Sequence, residues 1–68
     1  MITKDLIYVG SFEGNMKGKT YHIYKFVDLN YYKVLYFSTS EEKSFVNGMI
    51  YKCTIEYQKD KFKITNVK

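Results

Sequence analysis

The sequence predicts a small all-β domain, a five-stranded barrel closed around one core, and three observations support this fold class. Five apolar runs, several with a period of two, are separated by short turns rich in Gly, Asn and Asp. Aromatic residues favour strands, and eight Tyr and five Phe make up 19% of the chain. The chain has 68 residues and no proline, and this length predicts one domain, residues 1–68.

The first two runs predict a long hairpin. Residues 6–13 alternate with a period of two, and Gly10 marks a position where a bent barrel strand can coil. This alternation places Leu6, Tyr8, Gly10 and Phe12 on one face. Residues 14–19 (GNMKGK) then predict a basic, glycine-punctuated loop, and the second run follows directly at residues 20–29.

The third run, residues 31–38, follows a tight turn at residues 28–30 and is rich in aromatic and β-branched residues on both faces. The pattern changes from residue 38 to residue 47. Ser38 and Thr39 each precede a glutamate by three residues, as in the capping box at a helix N-terminus. We therefore expect a short helical connection between strands 3 and 4.

The fourth run has the clearest alternation in the chain, and it predicts that one face is core. The residues predicted to face the core are Met49, Tyr51, Cys53, Ile55 and Tyr57, with Cys53 acting as a small core hydrophobe. Residues 58–61 form the next predicted turn. In the last strand Phe62, Ile64 and Asn66 point opposite to Lys61, Lys63 and Thr65.

Three strands, a helical connection and two further strands follow the order of an OB-fold, whose second and third strands often form the binding surface. An SH3-like barrel is the main alternative, since it also has about five strands and a short helical turn. In that fold, however, the helical turn usually precedes the last strand. The predicted helical turn of this chain precedes the fourth strand, which favours an OB-fold-like barrel.

Composition excludes several classes of function. His22 and Cys53 are the only histidine and cysteine, so there is no disulfide and no ligand set for zinc. No residue pattern activates a nucleophile, and Glu41 and Glu42 fit a helix start better than a catalytic pair. The N-terminus lacks the features of a signal peptide, and no apolar run approaches the roughly 20 residues of a membrane span. We expect a cytoplasmic protein without catalytic activity, cofactor, metal or membrane contact.

Aromatic residues and lysines interleave on strands 2 and 3, which suits a single-stranded nucleic acid. Bases stack on aromatic faces without regard to sequence, while lysines follow the phosphates. The net charge is +4, with eleven lysines and no arginine to read guanine with a forked guanidinium. Both faces of strands 2 and 3 carry aromatic residues, so the sequence does not determine which of the two faces is exposed. The predicted contacts are Lys17, Lys19, Tyr21, Tyr24, Lys25, Phe26, Tyr32 and Lys33.

The segments GKTY, FVDLNYYKVLYF and VNGMIYKCTI, from Gly18 onward, resemble the single-stranded-DNA-binding replication proteins of filamentous phages. The resemblance implies an OB-fold homodimer that coats single strands cooperatively. It also implies DNA contacts by Tyr21, Phe26 and Tyr32, with Lys17 and Lys19 in a basic hairpin. The hairpin at residues 58–61 is shorter than the one with which the family builds its dimer, so the homodimer stays an open expectation.

We therefore expect a sequence-tolerant single-stranded DNA-binding protein of phage or mobile-element replication, with DNA preferred over RNA. Two alternatives remain open. One is a protein-interaction barrel, an accessory factor that pairs an edge strand or aromatic patch with a host protein. The other is a cold-shock-like RNA binder, because recognition of the 2′-hydroxyl leaves no sequence motif.

Overall fold

The computed structural model describes residues 1–68 and consists of five β-strands joined by turns and one longer loop. The prediction of an all-β chain with five strands is confirmed. No helix able to cross a membrane is present. The strands are β1 (Ile2–Met16), β2 (Lys19–Asp28), β3 (Lys33–Thr39), β4 (Ile50–Gln58) and β5 (Lys61–Val67).

All five strands form one antiparallel sheet in the order β3-β2-β1-β4-β5. The 15-residue β1 lies at the centre and pairs with β4 through its first half and with β2 through the remainder. The sheet curls until Cα atoms of the edge strands β3 and β5 lie within 8 Å of each other. No backbone ladder joins these edges, so the prediction of a closed barrel is wrong. Side chains meet across the open seam instead, with Lys33 Nζ 6.0 Å from the Phe62 ring centroid.

A β-bulge in β1 changes which residues face the core. The register passes from the pair Tyr8 and Phe26 to the pair Gly10 and Lys25, which leaves Val9 without a partner. Gly10 has a φ of +138°, a conformation that other residues rarely adopt. One extra residue moves all later side chains to the opposite face. The prediction that Phe12 shares a face with Leu6 is therefore wrong, and Phe12 is 49% exposed.

The core lies inside the curled sheet and confirms the alternation predicted for β4 from Tyr51 to Ile55. Met49 lies in the loop before β4 and is 53% exposed, so its predicted burial is wrong. Burial raises the pKa of the Cys53 thiol to about 11, consistent with its predicted role as a core hydrophobe. Tyr57 lies near the β4–β5 turn, beyond the core, and is exposed, so its predicted burial is wrong. A second register shift, between Thr54 and Ile55, brings Val67 to the core side where Asn66 was predicted. The buried apolar residues are Leu6, Tyr8, Tyr24, Phe26, Cys53, Ile55 and Ile64.

The connection between β3 and β4 is a loop, so the predicted short helix is wrong. Ser38 and Thr39 belong to β3 and pair with β2, which prevents either residue from starting a helix. The Thr39 hydroxyl accepts a hydrogen bond from the Glu41 N–H at 3.1 Å, two residues on. Thr and Ser side chains that bond locally in this way compete with helix formation. The capping-box spacing therefore marks a turn in this chain.

Phe45 in this loop seals one end of the sheet. Its ring centroid lies 5.0 Å from those of Tyr24 and Tyr51, and 5.3 Å from that of Tyr8. The Tyr24 hydroxyl accepts a hydrogen bond from the Lys43 N–H at 2.6 Å, which fixes the loop to β2. The Tyr51 hydroxyl accepts from the Val46 N–H at 2.9 Å. Tyr24 and Tyr51 thus use their hydroxyls to hold the loop that carries Phe45.

The other end of β2 is held by an ion pair between Lys4 and the buried Asp28. Lys4 Nζ lies 2.7 Å from Asp28 Oδ2, and the Asn30 N–H donates to Asp28 Oδ1 at 3.0 Å. The hydrogen bond from Lys4, aided by that from the Asn30 N–H, outweighs desolvation and lowers the pKa of Asp28 below its ordinary value of 3.8. Asp28 therefore stabilises the fold only when it is ionised.

This ion pair gives an expected pH dependence of stability. The contribution of Asp28 is complete above the unfolded pKa of 3.8 and is lost as the pH falls through the lower folded pKa. The urea midpoint should therefore decrease as the pH is lowered below that value. Asp28→Asn should have a lower midpoint at neutral pH and lack this part of the decrease. Glu42→Gln, at an exposed carboxylate, serves as the control, and an Asp28→Asn profile parallel to that of the wild type would contradict the assignment.

Candidate functional site

The side of β1, β2 and β3 that points away from the core brings together aromatic and basic side chains, and we call this side the outer face. Alternate β2 residues point away from the core, and partners directly opposite in an antiparallel pair share a face. Lys25 lies opposite Gly10 on one side and Tyr36 on the other, and Phe12 lies opposite Ile23. The β2 residues on this face are Lys19, Tyr21, Ile23, Lys25 and Val27.

Two exposed rings flank the β2 lysine. Phe12 and Tyr36 are 49% and 45% exposed, and their ring centroids lie 6.4 Å apart at an interplanar angle of 81°. Val34 on β3 and Val9 at the bulge are also nearly half exposed. Half-exposed rings are anchored on one side and leave ring surface free for a ligand. The outer face therefore offers stacking surface beside Lys25.

A hollow of about 260 Å³ lies on the outer face next to Tyr21, between β1 and β3. Gly14, opposite Tyr21 in the register, contributes no side chain to this space. Tyr21 is half-buried and forms one wall of the hollow, with Ile23 and Ser38 also lining it. The absence of a side chain at residue 14 thus leaves room for a planar group beside the Tyr21 ring.

The β1–β2 hairpin carries Lys17 and Lys19 at its tip. The turn consists of Lys17 and Gly18 alone, with φ of +53° and +76°, the signs of a type I′ turn. The predicted six-residue loop is therefore wrong, because Gly14 and Asn15 continue β1. Both lysines are exposed, and neither lies within 4.0 Å of a carboxylate. A two-residue turn holds these charges at a fixed position at the hairpin end of the outer face.

Tyr24 and Phe26 do not belong to the candidate site. They lie on the core face of β2, 3% and 0% exposed, and a base cannot stack on either ring unless the core opens. Of the predicted contacts on β2, the structure places Lys19, Tyr21 and Lys25 on the outer face.

Tyr32 and Lys33 lie at the other end of β2 from the hairpin, about 30 Å away for a ten-residue strand. Tyr32 is in the β2–β3 turn and not in β3, with a φ of +53° and 86% exposure. Lys33 pairs with Asp28 and therefore points to the seam side of β3, away from Lys25. The predicted contacts thus form two groups, one along the outer face and one at the β2–β3 turn.

Phe12 and Tyr36 are the outer-face rings that sequence reasoning did not select. The Val9-Gly10 pair within an alternating strand is the signal that could have indicated a bulge and moved Phe12 outward. Tyr36 is the β3 neighbour of Lys25, which follows only from the register.

The chemistry available at the outer face is stacking on rings together with attraction of anions. Apart from Lys4 and Lys43, none of the eleven lysines has a carboxylate within 4.0 Å. The structure does not group three His, Cys, Asp or Glu side chains in a way that could hold a metal ion. No protein-family model, curated protein or solved structure matches this chain.

Proposed function

We propose that this protein is a non-catalytic, sequence-tolerant single-stranded DNA-binding protein and that the strand lies along the outer face. The observation that carries the proposal is the presence of two half-exposed rings, Phe12 and Tyr36, beside Lys25 on one side of the sheet. Tyr21, with the hollow next to it, extends the same surface toward Lys17 and Lys19 in the hairpin. The path therefore alternates rings with charges that no carboxylate neutralises.

Each part of this surface suits a different part of a single strand. Every base has a π-face, so stacking on an exposed ring contributes about 1–3 kcal/mol for any base. An ammonium group attracts phosphate as a point charge and does not read base edges as the arginine fork does. With eleven lysines and no arginine, the chain has the means for affinity without sequence selectivity.

The curled sheet supports an OB-fold-like assignment. An OB-fold is a five-stranded, partly open barrel whose strands 2 and 3 and adjoining loops bind oligonucleotides. Strand β1 is central in this sheet, the edges β3 and β5 approach each other, and the outer face includes β2 and β3. The Phe45 loop covers one end of the sheet in place of the expected helix.

The resemblance to filamentous-phage replication proteins supports a role in phage or mobile-element DNA replication. We propose accordingly that the protein acts in the cytoplasm and coats DNA. Of the aromatic contacts that the resemblance implies, Tyr21 and Tyr32 remain on accessible surface. Phe12 and Tyr36 take the role that the resemblance gives to Phe26.

The proposal is tested by titrating the protein with oligo(dT) and following intrinsic tyrosine fluorescence, which no tryptophan obscures. Stacking on Tyr21 and Tyr36 should quench the emission. If Lys17, Lys19 and Lys25 each neutralise one phosphate, a slope of about −0.7 per contact predicts about a twentyfold loss of affinity between about 50 and 200 mM salt. Lys25→Gln should reduce the slope by about 0.7.

Lys63→Gln is the matched control, because Lys63 is exposed on β5 opposite Glu56 and lies off the outer face. It should leave both the affinity and the slope nearly unchanged. An oligo(rU) of the same length separates DNA preference from a cold-shock-like RNA binder. Absence of binding to either strand at the lower salt concentration would refute the proposal and favour the protein-interaction barrel.

A further inference from the structure

A cavity of about 300 Å³ opens at the seam between β3 and β5, on the other side of β3 from the outer face. Leu35 and Ile55 from β3 and β4 form part of its apolar wall, and Ile2 from β1 adds to it. The sheet leaves this space because no backbone ladder closes the two edges. The volume lies at the lower end of the range for small-molecule sites, roughly 300–1,000 Å³, and suits one ring system.

Two exposed rings stand at the mouth of this seam cavity. Tyr31 in the β2–β3 turn is 66% exposed, and Phe62 at the start of β5 is 49% exposed. Lys4 Nζ lies 4.3 Å from the Tyr31 ring centroid, which holds this ring in place. Tyr31 from the β3 edge and Phe62 from the β5 edge therefore both present aromatic surface to the cavity without forming part of the core.

The charge of the seam cavity is positive at one defined position. Lys4 is neutralised by Asp28 at 2.7 Å, so this pair adds no net charge. Lys33 also lines the cavity and has no carboxylate within 4.0 Å. An apolar and aromatic cavity with one free ammonium group is complementary to a planar ring that carries an anionic group.

We propose that the seam cavity binds one nucleotide whose base is separated from its neighbours in the strand. Its base lies between Tyr31 and Phe62, and its phosphate lies on Lys33. This inference rests on the proposed function, since the nucleotide belongs to the same strand. β3 is an edge strand of the sheet, and Tyr32 in the turn before it is 86% exposed. Tyr32 therefore lies where a DNA strand would pass from the outer face to the seam.

The test is an amide NMR titration with dTMP and, separately, with thymidine, which lacks the phosphate. The signals of residues 28–35 and 61–63 should shift saturably with dTMP. Lys33→Gln should weaken dTMP binding about tenfold, the size of one hydrogen bond to a charged group, and leave thymidine binding unchanged. Phe62→Ala should weaken the binding of both dTMP and thymidine. Lys61→Gln, at an exposed neighbouring residue, should weaken the binding of neither.

The outcomes separate this inference from the proposed function. If oligo(dT) binds with the expected salt response but dTMP shifts no signal at the seam, the nucleotide site is refuted and the outer face stands. If dTMP binds at the seam but oligo(dT) does not bind, the proposed function fails and a mononucleotide site remains. Equal weakening of dTMP and thymidine by Lys33→Gln would show that Lys33 does not bind the phosphate, which also overturns the assignment.

Discussion

Phe26→Ala is expected to unfold the protein at room temperature. Phe26 is 0% exposed, and its ring centroid lies 5.4 Å from that of Tyr8 and 5.5 Å from that of Phe45. Truncation of a buried Phe to Ala costs about 3–5 kcal/mol, because the transfer free energy is lost and a cavity remains. A single core in a domain of fewer than roughly 70–80 residues rarely supplies more than about 3–5 kcal/mol. The change therefore removes most or all of the free energy of unfolding.

The measurement is urea unfolding followed by far-ultraviolet circular dichroism. Phe62→Ala is the matched control, since the same atoms are removed from a ring that is 49% exposed. Its free energy of unfolding should decrease by less than that of Phe26→Ala, by about 1–2 kcal/mol if the loss scales with the buried half of the ring. A Phe26→Ala variant with the same urea midpoint as the wild type would mean that the core and outer faces of β2 are exchanged.

Tyr36→Ala and Phe12→Ala are each expected to weaken binding to oligo(dT) by about 1–3 kcal/mol, or roughly 5- to 150-fold, through the loss of one stacking surface. Both rings are about half exposed and outside the buried core, so the variants should remain folded. Their ring centroids are 6.4 Å apart, and the double variant should therefore lose less affinity than the sum of the two single losses. Fluorescence titration at low salt measures all three variants.

Val46→Ala is the control for these variants, because Val46 is 60% exposed in the loop between β3 and β4 and lines neither the outer-face hollow nor the seam cavity. Its affinity for oligo(dT) should match that of the wild type. If Tyr36→Ala and Phe12→Ala both bind oligo(dT) as tightly as Val46→Ala, the lysines alone bind the strand and the stacking surface is wrongly assigned. Circular dichroism of each variant confirms that a loss of affinity is not a loss of fold.

Local sequence patterns predicted the strands better than they predicted the connections. The alternation through Tyr51, Cys53 and Ile55 identified the core face of β4, because a strand that is buried on one side must repeat with a period of two. The glutamates after Ser38 and Thr39 suggested a helix, but both residues are held in β3 by pairing with β2. Tertiary pairing therefore overrides the local capping preference in this segment.

The candidate site was predicted only in part. Lys19, Tyr21 and Lys25 lie on one face of β2 as any alternating strand requires, whereas the inclusion of Tyr24 and Phe26 shows that alternation does not indicate which face is buried. The choice depends on what packs against β2, and that includes Phe45 from a loop nearly 20 residues further along the chain.

The all-β class, the five strands and a cationic character that comes from lysine alone could all be predicted, because they follow from local periodicity and composition. The exposed face of β2, the open seam and the aromatic rings that line these two surfaces depend on how distant strands pair. One unpaired residue, Val9, reverses the side on which Phe12 lies. The approach of β3 to β5 depends on the curl of the whole sheet. Both effects come from strand pairing between distant segments, which a local pattern of residues does not encode.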